Sequence, residues 1–169
     1  LLNAAEDAEL NAYAKSIGAN FPALLHASFA IATRDLTGKT VQRFLNPVHT
    51  RSDPNWWLSM GWYINVVPIW CAIEADDTIE TVAVRMREAL RAGVAVGELP
   101  ALRVMEIIQE VFDFDADSAG RPPIISYLDG RILPGQEKWG PHRFHGLTGA
   151  GAHDDVNVWV NRMPEDVYV

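Results

Sequence analysis

The stretch that decides the fold is residues 62–73, which read WYINVVPIWCAI. It is the densest apolar run in the chain, and a run of this kind is typical of a buried strand. Asn65 and Pro68 interrupt it, and it is shorter than the roughly 20 residues that a membrane-spanning helix needs. We therefore predict a buried strand from Trp62 to Glu74.

The N-terminal side of this run carries two predicted helices, over residues 3–18 and 20–38, followed by a strand over residues 40–48. Asn3 and Glu6 have the spacing of a capping box at the start of the first helix. Both helices end at a glycine, the residue that most often terminates a helix.

The C-terminal side begins with a long helix that opens at Asp77 and Glu80 and continues to Gly93. Residues 100–112 are apolar almost all round, and a helix of that kind is expected to be buried. Two strands are predicted next, over residues 124–128 and 156–161, and the second alternates apolar with polar residues. The chain then turns into residues 167–169, which are expected to pair with the second strand.

The predicted order of elements is therefore α, α, β, β, α, α, β, β. Paired helices between pairs of strands indicate an α/β fold, a two-layer sandwich with a mixed sheet. The length of 169 residues fits one domain with a sizeable core.

Composition excludes several classes of function. The net charge is −8, from 22 acidic against 14 basic residues, so nucleic acids and anionic lipids are unfavourable partners. The single cysteine, Cys71, rules out an intrachain disulfide and favours a reducing cytoplasm, and we expect it to be a core residue. Because the chain starts at Leu1 without a signal-peptide pattern and stops abruptly at Val169, we expect a fragment of a longer protein.

One histidine lies in a pattern that acyltransferases use for general-base catalysis. His49 and Asp53 fit HxxxD, but Val48 precedes them where the HHxxxDG motif has a second histidine, and Pro54 replaces its glycine. A general base also needs geometry that spacing alone does not supply. We therefore expect no catalytic role for His49.

The remaining motif candidates are metal sites, and their spacing argues against each. The histidines near the C-terminus do not match a known zinc arrangement, and we expect a solvated loop there. The acidic turn resembles the start of a calcium loop but lacks the glycine at its sixth position and the glutamate at its twelfth. The residues concerned are His142, His145 and His153, and Asp113, Asp115 and Asp117. We therefore predict no metal site.

Two neighbouring motifs resemble a known family. The first reads NPVHTR at residues 46–51, and the second reads GWYINVVPI at residues 61–69. They resemble the C-terminal half of the condensation-domain superfamily, which shares the chloramphenicol acetyltransferase fold and carries Gly-x-Phe-Val-Asn-Thr-x-Pro-Leu. Gly61, Asn65 and Pro68 stand in register with its glycine, asparagine and proline. Tyr63 replaces its phenylalanine.

Later motifs resemble one branch of that superfamily, the polyketide-associated acyltransferases of mycobacteria. These motifs are YLDGR at residues 127–131, LPG at 133–135, Trp139, and NVWVNR at 157–162. The resemblance implies a C-terminal half-domain, residues 1–169, of an enzyme that moves an acyl chain from a thioester to a lipid or sugar hydroxyl. Family members carry the catalytic HHxxxDG in their N-terminal half. The resemblance therefore implies no catalytic residue in this chain, and this chain alone is expected to be inactive.

What the resemblance implies for partners follows from the same reaction. The donor is expected to be acyl-CoA or an acyl carrier protein, with no bound cofactor. The expected partners are the missing N-terminal half, a glycolipid or diol-lipid acceptor and a polyketide synthase, and the expected location is the cytoplasm, including the inner membrane face. Two alternatives stay open: amide-forming condensation on a peptide synthetase, and a non-catalytic half-domain that binds an acyl carrier.

Four residues are candidates for the channel or for contact with the other half. Arg51 could pair with the motif aspartate of the missing half or be an exposed loop residue. Asn65 is polar within an apolar strand and needs a hydrogen-bond partner if buried, so we favour a structural role over a channel-lining one. Ser126 and Tyr127 either line the channel or pack. The aromatics Trp56, Trp57, Trp62 and Trp70 either border an acyl tunnel or belong to the core.

Overall fold

A computed structural model describes residues 1–112, 122–133, 135–138 and 156–169. In chain order the elements are β1 (Leu2–Asn3), α1 (Ala4–Ser16), α2 (Phe21–Thr37), β2 (Val41–His49), β3 (Ile64–Ala72), α3 (Ile79–Ala95), α4 (Ala101–Phe112), β4 (Ile125–Asp129), β5 (Val158–Arg162) and β6 (Asp166–Tyr168). Short 3-10 turns lie at Pro54–Trp56, Gly130–Ile132 and Gln136–Lys138.

The ends of the first two helices confirm the predicted signals. Asn3 accepts hydrogen bonds from the backbone N–H groups of Ala5 and Glu6, and the Glu6 carboxylate accepts one from the Asn3 N–H, which completes the capping box. Gly18 and Gly38 adopt φ values of 77° and 71°, a left-handed conformation that glycine adopts without a steric penalty.

The strands form two hydrogen-bonded groups that meet side by side. One is a four-stranded sheet in the order β1-β6-β5-β4, in which β4 and β5 are parallel and the other pairs antiparallel. The other is the antiparallel hairpin of β2 and β3. A parallel bridge between Leu45 and Ile124 connects the two, and the Leu45 N–H donates to the carbonyl of Pro123 at 2.9 Å. The prediction of an α/β fold with a mixed sheet is confirmed.

The helices cover one face of the strands. Alternate residues of β3, namely Val67, Ile69 and Cys71, are buried in one core with residues of α2 and α3. A second core joins α1 and α2 to β5 and β6 through Phe21, Val158, Val160 and Val167. This arrangement is the two layers of the predicted sandwich.

The opposite face of β3 is exposed, so the predicted buried strand is buried on one face only. Trp70 is 68% exposed, and Trp62, which lies before the strand begins at Ile64, is 86% exposed. A continuous apolar sequence does not distinguish a strand that is covered on both faces from one whose second face is exposed.

The prediction that residues 100–112 form a buried helix is also wrong. Helix α4 forms, but none of its residues is buried, and Leu102 is 82% exposed. Val111 and Phe112 are exposed as well. The sequence shows that the helix is apolar. Its burial depends on a covering layer, which the described part of the chain does not supply.

An ion pair fixes the turn between β3 and α3. Asp77 accepts from Arg85 at 2.7 Å, from the Glu74 N–H at 2.7 Å and from the Thr81 hydroxyl at 2.9 Å. The Arg85 guanidinium is the main reason that the pKa of the Asp77 carboxyl lies far below its usual range. Arg85 also donates to the carbonyl of Ala72 at 2.6 Å, so the pair joins the end of β3 to α3.

We predict that this pair makes the fold sensitive to acid. The folded-state pKa of Asp77 is below its unfolded value of about 4, so its contribution is present above pH 4 and is lost as the pH falls further. Asp77→Asn should lower the free energy of unfolding at pH 7 and reduce its decline below pH 4, measured by urea denaturation at several pH values. A parallel decline in both proteins would contradict this account.

Truncation of a side chain on α3 should cost much more stability than truncation of one on α4. Met86, on the buried side of α3, is fully buried. Met86→Ala should lower the free energy of unfolding by about 2 to 5 kcal/mol, because it leaves a cavity in the core. Leu102→Ala on exposed α4 should change it by no more than about 0.5 kcal/mol. Equal losses in urea denaturation would show that α4 is packed as tightly as α3.

Candidate functional site

The loop of residues 50–63, called the aromatic loop below, connects β2 to β3 and has internal structure. The Thr50 N–H donates to the carbonyl of Tyr63 at 2.9 Å and closes the base of the loop. Trp56 stacks on Tyr63 with a centroid distance of 6.2 Å, and the Ser59 hydroxyl donates to the Trp56 carbonyl at 2.7 Å. The Ser59 hydroxyl also lies 2.8 Å from that of Tyr63. The loop therefore presents its side chains from a defined backbone.

Arg51 is integrated into this loop and is half-buried. Its guanidinium lies 4.5 Å from the centroid of the Tyr63 ring, a cation–π distance, and its Nη2 donates to the carbonyl of Ser59 at 2.9 Å. Its Nε is buried and has no hydrogen-bond partner in the described part of the chain. The arginine is thus positioned by its own loop, while its pairing with another polypeptide stays a prediction.

The two residues of the HxxxD pattern, His49 and Asp53, have separate structural environments. His49 is exposed at the end of β2, opposite Ile64 of β3. Asp53 accepts from the N–H of Asn55 at 2.9 Å and caps the 3-10 turn that follows it. Asp53 therefore stabilises the aromatic loop.

Asn65 lies where β3, α3 and α4 meet. Its side-chain Nδ2 donates to the carbonyls of Gly97 and Leu99 at 2.7 and 2.6 Å. Its Oδ1 accepts from the N–H groups of Val66 at 2.9 Å and Ala101 at 3.1 Å. The amide is satisfied by backbone groups, and whether it also lines a channel stays a prediction.

Ser126 and Tyr127 are neighbours on β4, so their side chains point to opposite faces of the sheet. Tyr127 points to the helix layer, where its ring centroid lies 5.8 Å from that of Phe21. Ser126 therefore points to the opposite face, in register with the exposed Trp159. Burial is the main cause of the raised pKa of the Tyr127 hydroxyl. The two candidates thus lie in different environments.

A network of charges surrounds the Tyr127 hydroxyl. Arg162 is 3% exposed, lies 4.3 Å above the Phe21 ring, and approaches Asp7 at 2.7 Å. Its Nε–H is not aligned with the Asp7 oxygen, so charge rather than a directed hydrogen bond holds this pair. Asp129 accepts from Arg131 at 2.6 Å, and this hydrogen bond is the main cause of its lowered pKa.

The network joins three separate parts of the chain. Arg131 reaches Asp7 at 3.5 Å, and the Tyr127 hydroxyl lies 3.4 Å from Asp129 and 3.5 Å from Arg162. Helix α1, the end of β4 and the end of β5 are therefore held together by one set of charges. Sequence reasoning missed this set, although an arginine that ends the regular alternation of β5 was a signal for it.

The described residues with nucleophilic or basic side chains in the core are inaccessible. His26 is fully buried, and because a carbonyl only accepts, its Nδ1–H donates to Pro22 at 2.8 Å. Burial lowers the pKa of His26 and raises that of the Cys71 thiol. These two groups therefore serve packing, as the sequence predicted for Cys71.

The surface chemistry of the described chain is mainly apolar. The exposed apolar side chains of the aromatic loop and the outer face of β3 are Trp56, Trp57, Leu58, Met60, Trp62, Ile64 and Trp70. Monomeric proteins seldom expose so many large apolar residues in one region, and such surfaces mark sites of interaction. Arg51 belongs to this region. Asn65 lies on the opposite, helix-facing side of β3 with Val67, and Tyr127 packs, partly buried, against the second core.

The residues considered above as metal ligands are outside the part of the chain that the structure describes. No three His, Cys, Asp or Glu side chains form a metal-binding group within the described ranges. The histidines and aspartates considered above, together with Trp139, lie outside those ranges: His142, His145, His153, Asp113, Asp115 and Asp117. None of the helices within these ranges combines the length and apolar character needed to cross a bilayer.

Comparison with known sequences identifies relatives of this chain. The sequence model of the condensation domain matches residues 1–111. Acyltransferase PapA3 of Mycobacterium tuberculosis is 26% identical over 136 residues, which make up 79% of this chain and 27% of that protein. The chain thus spans about a quarter of the length of the curated relatives that it matches.

Comparison with solved structures identifies the same fold. PapA2 acyl transferase superposes with a TM-score of 0.73 at 21% identity, over 99% of this chain and 36% of that one. The first condensation domain of the calcium-dependent antibiotic synthetase, in complex with a substrate analogue, gives 0.70 at 17% identity, over 98% of this chain and 36% of that one. These likenesses establish the fold.

The buried charge network predicts a large effect from a small substitution. Asp7→Asn removes the charge nearest to Arg162 and should lower the free energy of unfolding by about 3 kcal/mol, because a buried charge loses its partner. Glu88→Gln is the matched control, since Glu88 is exposed and lies 3.8 Å from Arg91. It should cost less than about 0.5 kcal/mol. Similar losses for both in urea denaturation would contradict the role of the network.

Proposed function

Because this chain belongs to the condensation-domain family, we propose that it is the C-terminal part of an O-acyltransferase. The match of the family model over residues 1–111 carries this proposal. The similarity to Acyltransferase PapA3 favours acyl transfer within the family, and the chain covers only 27% of that relative. Residues 1–169 then form one C-terminal subdomain, and the catalytic motif HHxxxDG lies in a separate N-terminal half.

The proposed reaction moves an acyl chain, made by a polyketide synthase, from a thioester to the hydroxyl of a glycolipid or diol lipid. The second histidine of HHxxxDG removes the proton from the hydroxyl, and the oxygen attacks the thioester carbonyl. The C–O bond forms and the C–S bond breaks. The leaving thiolate then takes the proton from the histidine. The donor is acyl-CoA or an acyl carrier protein, and no bound cofactor is needed.

The residues of this chain supply walls and contacts in this scheme. Arg51, whose Nε has no hydrogen-bond partner among the described residues, pairs with the aspartate of HHxxxDG across the two halves. Ser126 lines the channel from the open face of the sheet, and Asn65 supports its border. The exposed side chains of Trp56 and Trp62 border the acyl chain, since their large apolar surfaces favour such a ligand.

A location follows from the proposed substrates. We place the enzyme in the cytoplasm, including the inner face of the membrane, where lipid acceptors are accessible. The strongly negative charge of this chain makes nucleic acid an unsuitable partner.

Two other functions fit the same family. The first condensation domain of the calcium-dependent antibiotic synthetase has the same fold at a TM-score of 0.70, which keeps amide formation on a peptide synthetase as an alternative. A half-domain that binds an acyl carrier without catalysis is a second alternative. The three functions differ in product: an ester, an amide, or none.

The test is to produce this chain together with the HHxxxDG segment encoded upstream of Leu1 in the parent gene. The mixture should form ester from acyl-CoA and a long-chain diol, detected by mass spectrometry, whereas this chain alone should form none. Replacing the second motif histidine by alanine should reduce the rate by about 10²- to 10⁴-fold.

The outcomes separate the three functions. Amide formation from an amine acceptor, without ester, supports the condensation alternative. Binding of acyl carrier protein without turnover supports the non-catalytic one. Ester formation by this chain alone, or a parent gene without an HHxxxDG upstream, refutes the division of the enzyme proposed above.

A further inference from the structure

Helix α4 has little contact with the rest of the described chain. None of its residues is buried, and its exposed apolar side chains include Leu102, Val104, Met105, Ile107, Val111 and Phe112. Packing against a core is normally what holds a helix of 12 residues in place. Its position must therefore be fixed mainly at its N-terminal end, where the chain arrives from α3.

The Asn65 amide bridges this end to the connection before it. Its two N–H groups serve two backbone carbonyls, of Gly97 and Leu99, at 2.7 and 2.6 Å. Its oxygen accepts from the N–H of Ala101, the first residue of α4, at 3.1 Å. The first N–H groups of a helix have no partner within the helix, so Asn65 satisfies one of them from another element. Only a primary amide offers both donors and an acceptor in this geometry.

The connection between α3 and α4 is held against the hairpin at the same place. A Cβ at Gly97 would lie 3.2 Å from Cγ2 of Val48, and Val48 is the partner of Asn65 across the β2–β3 ladder. The backbone of residue 97 therefore approaches the hairpin closely. The Leu99 N–H donates to the carbonyl of Val96 at 3.0 Å, which keeps the connection compact.

We infer that Asn65 is a positioning residue whose one amide fixes the orientation of α4 relative to β3. Asn65 follows Tyr63, the last residue of the aromatic loop, by two residues. Its hydrogen bonds therefore also fix the position of the apolar side of α4 relative to that loop. This role is separate from the proposed acyl-transfer reaction and holds for any function of the family.

Hydrogen–deuterium exchange of the full chain tests this role. Asn65→Asp keeps an acceptor for Ala101 but loses the two donors, and it places a negative charge beside two carbonyls. We expect amides of residues 98–112 to exchange about tenfold faster, as for the loss of a helix cap, with those of β2, β3 and α3 unchanged. The matched control is Asn20→Asp, since the Asn20 side chain caps α2 through its oxygen, which accepts from the Ala23 N–H at 2.9 Å and is kept in aspartate.

A second variant covers the case in which the charge unfolds the protein. Asn65→Ser is neutral and too short to bridge the three backbone groups, so it should also accelerate exchange in residues 98–112 alone. Unchanged exchange of α4 in a folded Asn65 variant would overturn the inference. So would an equal acceleration in β3 and α3, since Asn65 would then be a general stabilising residue.

Discussion

The structure depends on the close approach of α3 to β3. A Cβ at Gly93 would lie 2.3 Å from Cδ1 of Ile69 and 3.4 Å from the carbonyl of Pro68, so the helix rests almost directly on the strand at this position. This contact allows Val67 and Ile69 to be buried beneath α3. It also brings the C-terminal end of α3 to the start of β3, within reach of Asn65.

One consequence is an asymmetric molecule. Every described core residue of the hairpin lies on the side that faces α2 and α3, while Trp70 and the aromatic loop remain exposed on the other side or at its end. An exposed apolar surface of this kind marks a site of interaction. It is the surface that the proposed other half would cover.

The sequence predicted the elements that depend on local signals. Asn3, Gly18 and Gly38 marked helix ends correctly, because capping and left-handed turns depend on a few adjacent residues. It could not predict the exposure of α4, because burial depends on what lies above the helix. It missed Arg162 and its partner Asp7 because 155 positions separate them in the chain. Strand β1 also escaped prediction, because two residues carry no periodicity.

The four candidate residues were named from the sequence, and their roles in a channel or an interface stay predictions. Arg51 and Asn65 lie at one end of the hairpin, as their place in adjacent motifs suggested, whereas Tyr127 packs, partly buried, against the second core. Whether the exposed surface is an interface between two halves can be measured by titrating this chain with its HHxxxDG-bearing half in an analytical ultracentrifuge. We expect a 1:1 complex with blue-shifted tryptophan fluorescence. Two non-interacting species with unchanged fluorescence would contradict it.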